Sequence, residues 1–362
     1  MIRVLVAEDS QAARLLLVSM LEADPDIEVV GEGGDGEAAV AAAKRLRPDV
    51  VTMDIHMPRL DGLEATARIM NEAPMPIVVV SAAVSARDVA STFDALKAGA
   101  LAALPKPVAG GGAAGEEERQ GFVAIVKAMS RVKVVRRWSG AFATVGARGA
   151  PPKQQDRPVG DEVRNPSTAP ITPSTRRATL VAIAASTGGP TALQEVLSGL
   201  PGSFAAPVVV VQHIAKGFIP GFASWLDGEC ELRVKLAEPD EPLVAGTVYI
   251  APDDRHLGVT PARRIKEIEG KPVNGFCPSA SVLFESAADA YGDSLAAVIM
   301  TGMGSDGVSG LRRVIGKGGY VIAQDEASSL IYGMPGEAVA AGVVDISLPL
   351  NLISTYLQKL VR

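Results

Sequence analysis

Residues 179–190 read TLVAIAASTGGP. From Leu180 to Ala185 the run is aliphatic throughout rather than alternating, as expected of a strand buried on both faces of a parallel sheet. It then breaks into Ser-Thr-Gly-Gly-Pro, the composition of a strand turning into a helix. Three readings of Ser186 follow from this segment alone. It can cap the helix, since a serine there satisfies orphan N–H groups. It can belong to a phosphate cradle built on Gly188 and Gly189, although no G-x-G-x-x-G spacing is present and no P-loop lysine follows. Or it can be a nucleophile.

Runs of the same kind recur on both sides. PVVVVQH (207–213), LAAVIM (295–300) and YVIAQ (320–324) read as further buried parallel strands. TVYIAP (247–252) followed by HLGVTPARRIKEIEG (256–270) reads as a hairpin excursion. Residues 179–362 are therefore expected to form a Rossmann-like, doubly wound α/β domain with an antiparallel hairpin and a partly antiparallel edge. In the N-terminal part, RVLVA (3–7), IEVVG (27–31), DVVTM (49–53), IVVVS (77–81) and LAAL (101–104) alternate with helical patterns such as SQAARLLLVSMLEAD (10–24) and GEEERQGFVAIVKAMSRV (115–132). Five strand–helix alternations over residues 1–132 predict a flavodoxin-like domain with a five-stranded parallel sheet. Residues 133–178 differ in kind: prolines, glycines and arginines without apolar periodicity read as a flexible basic linker.

The composition agrees. A chain of 362 residues suits two domains, and 48% hydrophobic with only 4% aromatic residues fits aliphatic α/β packing. The net charge of −6 argues against a nucleic-acid surface. Two cysteines without CxxC spacing suit a reduced compartment. With no signal-like leader and no apolar run of spanning length, the expectation is a cytoplasmic protein without membrane insertion.

In an open parallel sheet, ligands gather beyond the carboxyl ends of the strands. Glu8 and Asp9 follow the first strand, Asp54 the third, Ser81 ends the fourth and Lys106 follows the fifth. Three crowded carboxylates repel unless a cation joins them, and oxygen donors suit a hard ion such as Mg²⁺. A phosphoryl group on Asp54 would be neutralised by that ion and Lys106, and hydrogen-bonded by the Ser81 hydroxyl. In the C-terminal half, His213 follows VVVVQ and Asp306 lies in a glycine-rich turn after LAAVIM. With Ser186 they put an alcohol, a base and an orienting acid on one sheet edge, the set that nucleophilic catalysis requires. His56 lies in the other domain and His256 in the hairpin region, so His213 is the base best placed by position. Ala184 and the order Ser, His, Asp depart from the α/β-hydrolase elbow.

Through VAEDS, MDIHMPRLDG, SA and LPKP, residues 1 to about 130 resemble a two-component response-regulator receiver domain. The resemblance implies Asp54 as phosphoacceptor, Glu8, Asp9 and Asp54 as the Mg²⁺ site, and Ser81 and Lys106 as the switch pair. Ala103 stands where an aromatic switch residue is usual, and His56 where an acidic residue is common. AASTGGP, VVQHI, YIAPDDRHL, PSASVLFES, TGMGSDG and AQDEASSLIYGMP resemble, in order, the chemotaxis protein-glutamate methylesterase family, CheB. That resemblance implies a triad of Ser186, His213 and Asp306, with Thr187 and the Met303 backbone N–H assisting at an oxyanion hole. The implied activity is phosphorylation-activated hydrolysis of glutamyl methyl esters on chemoreceptor-type proteins, with glutamine deamidation beside it. The implied partners are a CheA-type histidine kinase and the methylated receptor. The chain departs from the family at Ala184, at Ser305 and in NGFCPSAS (274–281), where Gly275, Phe276, Cys277 and Ser281 replace polar groups that could face substrate. A non-catalytic, receiver-controlled adaptor is the rival expectation, and a dinucleotide-dependent oxidoreductase a more distant one.

Overall fold

The structure is a computed structural model that describes residues 1–81, 86–107, 113–132, 134 and 177–361. The expected linker at 133–178 lies outside the described residues except at 134, 177 and 178.

The N-terminal sheet has the strands β1 (Ile2–Ala7), β2 (Ile27–Gly33), β3 (Val50–Asp54), β4 (Ile77–Ser81) and β5 (Ala102–Pro105). They are parallel throughout and ordered β2-β1-β3-β4-β5. The helices between and after them are α1 (Gln11–Glu22), α2 (Gly36–Leu46), α3 (Gly62–Glu72), α4 (Ala86–Lys97) and α5 (Ala113–Met129). Side chains of Ser10, Asp35 and Asp61 accept N–H bonds at the starts of α1, α2 and α3, which explains where those helices begin. Beside Asp54 the chain turns very tightly. A Cβ on Gly62 would lie 1.9 Å from the Asp54 carbonyl oxygen, so only glycine fits the end of MDIHMPRLDG.

The C-terminal sheet has seven strands, ordered β14-β13-β12-β6-β7-β9-β8. They are β6 (Leu180–Ala185), β7 (Val208–Gln212), β8 (Arg233–Leu236), β9 (Thr247–Ile250), β12 (Leu295–Ile299), β13 (Tyr320–Gln324) and β14 (Ile346–Leu348). All of their pairings are parallel. This corrects two expectations. TVYIAP supplies β9 inside the parallel sheet, and neither edge is antiparallel. The hairpin is a separate two-stranded sheet of β10 (His256–Val259) and β11 (Ile265–Ile268). It packs on α8 (Ala280–Tyr291). The strand β9 is buried at every position, so its threonine and tyrosine mimic alternation without marking a solvent face. The remaining helices are α6 (Gly189–Ser198), α7 (Ile219–Glu229), α9 (Val308–Gly316), α10 (Met334–Ala340) and α11 (Leu350–Leu360).

The two halves are packed against each other through α4 and α7. Phe93, fully buried, lies 5.3 Å from the Phe222 ring and 5.2 Å from the Trp225 ring. Gly221 lets the helices approach, because a Cβ there would meet Val89 at 2.2 Å. Lys97 donates to Glu229 at 2.8 Å on the rim of the contact. Among the described residues, no helix is long and apolar enough to cross a membrane.

Candidate active site

At the carboxyl end of β6 the sheet hands its chain to α6 through Ser186, Thr187 and Gly188. Ser186 does not cap that helix. The N-cap is Gly188, with φ 78°, and it makes no side-chain cap bond. Ser186 offers instead its carbonyl, which accepts from Gly189 N–H at 2.7 Å. Its hydroxyl makes no hydrogen bond among the described residues. Gly302, from the turn after β12, packs so closely that a Cβ would fall 2.7 Å from Ser186 Cβ. Met303, the residue after it, exposes its side chain, which lines a groove with α1 and α5.

The strand β7 lies beside β6 in parallel register, with Ala185 opposite Gln212. The next residue, His213, donates its N–H to the Ala185 carbonyl at 2.9 Å and thus enters the same edge. Gln212 sets the spacing between them. Its side-chain amide donates to the carbonyls of both Ser186 and His213 at 2.8 Å. A Cβ on Gly189 would stand 2.0 Å from Gln212 Oε1, which explains the second glycine of the motif.

The third member, Asp306, comes from the turn after β12. His213 Nε2 lies 3.0 Å from its Oδ2, although the ring N–H is not aimed well enough to count as a hydrogen bond. Catalytic hydrogen bonds without substrate are often misaligned in this way and tighten in the Michaelis complex. The carboxylate itself is held on all sides. Oδ1 accepts from the Ser279 hydroxyl at 2.8 Å, Ser281 N–H at 3.1 Å and Gly307 N–H at 2.9 Å. Oδ2 accepts from Ala280 N–H at 2.7 Å. Burial would push the Asp306 carboxyl up, but His213, the Ala280 N–H and the Ser279 hydroxyl outweigh it and hold the group well below the usual carboxylate range.

The departure at 274–281 now has a structural meaning. Ser281 is buried, and its hydroxyl accepts from Gly307 N–H at 2.9 Å, so it shapes the Asp306 turn rather than facing substrate. Phe276 does face the site. Its ring stacks on the His213 imidazole with centroids 4.2 Å apart and planes 10° from parallel. The family-typical polar group is replaced by an apolar wall against the imidazole.

Ser186, Thr187, Gln212, His213 and Phe276 line one cavity of about 310 Å³. Its opposite wall comes from the N-terminal half: Leu96, Leu101, Ala103, Leu104 and Ile125. Ala103, the missing aromatic, therefore stands in that wall. Leu330 and Ile331, from the segment AQDEASSLIYGMP, also pack against the N-terminal core. Sequence reasoning passed over the residues that join that segment to Ser186. Thr301 accepts from Ile331 N–H at 3.0 Å and donates to the Thr187 carbonyl at 2.9 Å, while its own carbonyl accepts from Ser186 N–H at 3.0 Å. A buried threonine after a strand carries no signal of that role in one sequence.

The acidic pocket lies at the carboxyl ends of the strands of the first sheet. One ligand atom from each of Glu8, Asp9 and Asp54 falls within 4.8 Å of the others. Lys106 donates to Glu8 at 2.9 Å and to Asp54 at 2.8 Å. Burial alone would lower the Lys106 ammonium, but the two carboxylates more than compensate and raise it. Burial and the Asp54 charge raise the Glu8 carboxyl despite the Lys106 bond. The Ser81 hydroxyl is fully buried and has no hydrogen-bond partner among the described residues, which is costly unless a further group arrives. Three carboxylates with an unfilled hydroxyl fit a hard divalent cation together with an oxyanion.

Residues 181–357 match the CheB methylesterase family, and residues 4–111 match the response regulator receiver domain. A relative from Myxococcus xanthus, named protein-glutamate methylesterase/protein-glutamine glutaminase 4, is 51% identical over 350 residues, 96% of this chain and 94% of that one. A relative from Syntrophus aciditrophicus, named protein-glutamate methylesterase/protein-glutamine glutaminase 1, is 43% identical over 99% of this chain and 98% of its own length. Among solved structures, the CheB methylesterase catalytic domain of Thermotoga maritima is 39% identical, with a TM-score of 0.49, over 51% of this chain and 98% of that one.

Proposed function

The chain belongs to the CheB methylesterase family, with a response regulator receiver domain ahead of the methylesterase domain, and on that premise we propose that it is a phosphorylation-gated protein-glutamate methylesterase. The observation that carries this reading is that Ser186 and His213 line one cavity whose other wall is the receiver, with Asp306 3.0 Å behind His213.

In this reading the Ser186 hydroxyl attacks the carbonyl of a glutamyl methyl ester. Its proton passes to His213, and since Nε2 faces Asp306, Nδ1 is the nitrogen that receives it. The ring is thus presented in the reverse sense to chymotrypsin, where the carboxylate holds Nδ1. Asp306 stays ionised and steadies the imidazolium. N–H groups around Thr187 and Met303 stabilise the oxyanion. The proton then goes to the leaving methoxide, methanol departs, and His213 activates the water that frees glutamate from Ser186. A glutamine amide in place of the ester would release ammonia by the same steps.

The cavity of about 310 Å³ holds a side chain but no helix. A receptor helix therefore requires the receiver to move away. Asp54 is the proposed phosphoacceptor, with Glu8, Asp9 and Asp54 as the residues that would hold Mg²⁺; the ion would neutralise the added phosphoryl charge. Lys106 and Ser81 would turn toward the phosphoryl oxygens, and Lys106 would leave its present partners. The change shifts a population from closed to open arrangements. A histidine kinase of the CheA type is the proposed phosphoryl source and a methylated chemoreceptor-type protein the substrate.

Methanol release from methylated receptor tests this reading. Activity that rises with a small-molecule phosphoryl donor and vanishes in Ser186→Ala supports it. Absence of methanol release from the wild type, with donor present, would favour the adaptor.

A further inference from the structure

The mechanism above leaves one buried histidine unused. His256 begins β10, is only 2% exposed, and spends both ring nitrogens within the protein. Its Nδ1 lies 3.1 Å from the backbone N–H of Ser279. Its Nε2 lies 3.1 Å from the carbonyl oxygen of Lys271. An amide N–H can only donate and a carbonyl can only accept, so the two partners dictate the tautomer. Nδ1 must be the acceptor and Nε2 must carry the hydrogen. The imidazole is neutral, and neither nitrogen is available as a base.

What this histidine holds is informative. Ser279 is the N-cap residue of α8, yet its hydroxyl makes no bond to its own helix. That hydroxyl donates to Asp306 Oδ1 at 2.8 Å, and the next residue, Ala280, donates its N–H to Oδ2 at 2.7 Å. Asp306 in turn lies 3.0 Å from His213. A continuous chain of polar contacts thus runs from the Lys271 carbonyl through His256, Ser279 and Asp306 to the proposed base.

We propose that His256 is a positioning residue of the methylesterase triad: a neutral imidazole, locked as the Nε2–H tautomer, that fixes Ser279 and through it the Asp306 carboxylate. This rests on the proposed esterase reading for its kinetic consequence and on the hydrogen-bond geometry alone for the tautomer. Partners of this outer kind set the orientation of a catalytic group, and a misplacement of about 1 Å can cost about a hundredfold in rate.

Two measurements test it on the full-length chain. With ¹⁵N-labelled histidine there are only three imidazoles to assign, His56, His213 and His256. At neutral pH the His256 ring is expected to report the Nε2–H tautomer with a hydrogen-bonded, unprotonated Nδ1. A Nδ1–H form or an averaged mixture overturns the proposal, whether or not the protein proves to be an esterase.

Kinetics supply the second arm. In His256→Asn the amide oxygen can take the place of Nδ1 and still accept from Ser279. In His256→Gln the amide reaches toward Lys271 but abandons Ser279, and His256→Phe abandons both. We expect Asn to keep kcat for methanol release within about threefold of wild type, and Gln and Phe to lose about 10- to 100-fold in kcat with KM little changed. Adding Ser279→Ala to His256→Phe should cost no more than Ser279→Ala alone, because both break the same chain. Wild-type kcat in the Phe variant, or a Gln variant better than Asn, overturns the proposal. If the variants fail to fold, the wild-type spectrum still decides.

Discussion

The two halves of this molecule hold their carboxylates in different surroundings. In the receiver pocket, Glu8, Asp9 and Asp54 crowd together with the Lys106 ammonium between two of them, and the Ser81 hydroxyl has no partner among the described residues. At the methylesterase edge, Asp306 is surrounded by four aligned donors besides His213. A cation and an oxyanion would change the charge balance of the first site, as the proposed switch requires. The Asp306 carboxylate is held by backbone and hydroxyl donors before any substrate arrives, as the proposed mechanism requires, since preorganised groups need no rearrangement at the moment of reaction. The receiver supplies one wall of the cavity at the Ser186 edge, so in the proposed reading its own pocket would govern access there.

The largest expected effect is at the methylesterase edge. Ser186→Ala should lower methanol release by about 10³-fold or more with an unchanged melting temperature. A variant that kept a tenth of the activity would break the triad assignment.

Next comes the contact between the halves. Phe93→Ala removes a buried ring from Phe222 and Trp225. It should loosen the closed arrangement and raise unstimulated activity about tenfold, the equivalent of about 1.4 kcal/mol in the closed–open equilibrium. Flat or reduced activity in a variant that still binds phosphoryl would show that the receiver does not restrain the esterase. In the pocket itself, Asp54→Asn should abolish the rise with phosphoryl donor. A persisting rise would place phosphorylation elsewhere.

The depressed Asp306 carboxyl predicts a pH dependence. Its folded value lies below its unfolded one, so its ionisation stabilises the fold at pH values above the unfolded value of about 3.9. That contribution is lost as pH falls through this value toward the folded one. The stability gap between wild type and Asp306→Asn, measured by urea unfolding, should hold from neutrality to about pH 5 and shrink below about pH 4. A gap that stayed constant in acid would mean that Asp306 acts by shape rather than charge. The smallest effect is expected from Lys97→Glu, which sets two acids together on the exposed rim. It should raise unstimulated activity by about two- to fivefold, and added salt should erase the difference.

Much of this protein was legible in its sequence because buried parallel strands are read directly as aliphatic runs. Residues that follow such runs share one sheet edge by topology alone. That logic brought Ser186, His213 and Asp306 together across 120 residues of chain, and likewise Glu8, Asp54, Ser81 and Lys106. It failed where local pattern was ambiguous. TVYIAP has polar residues at alternate positions, yet both of its faces are buried. Ser186 has the composition of a cap, yet Gly188 begins the helix. Ser281 was expected near substrate and is buried behind Asp306.

The two parallel sheets, and which residues stand at their strand ends, follow from local pattern, since strand burial and strand-end position are local properties of the chain. The folded chain alone shows that Gln212 bridges the carbonyls of Ser186 and His213, that His256 holds the Ser279 N–H behind Asp306 and that Ala103 and Ser186 line one cavity. Those are contacts between groups far apart in sequence. A hydrogen bond or a packed wall depends on distances and directions that no run of residues encodes until the whole chain has closed.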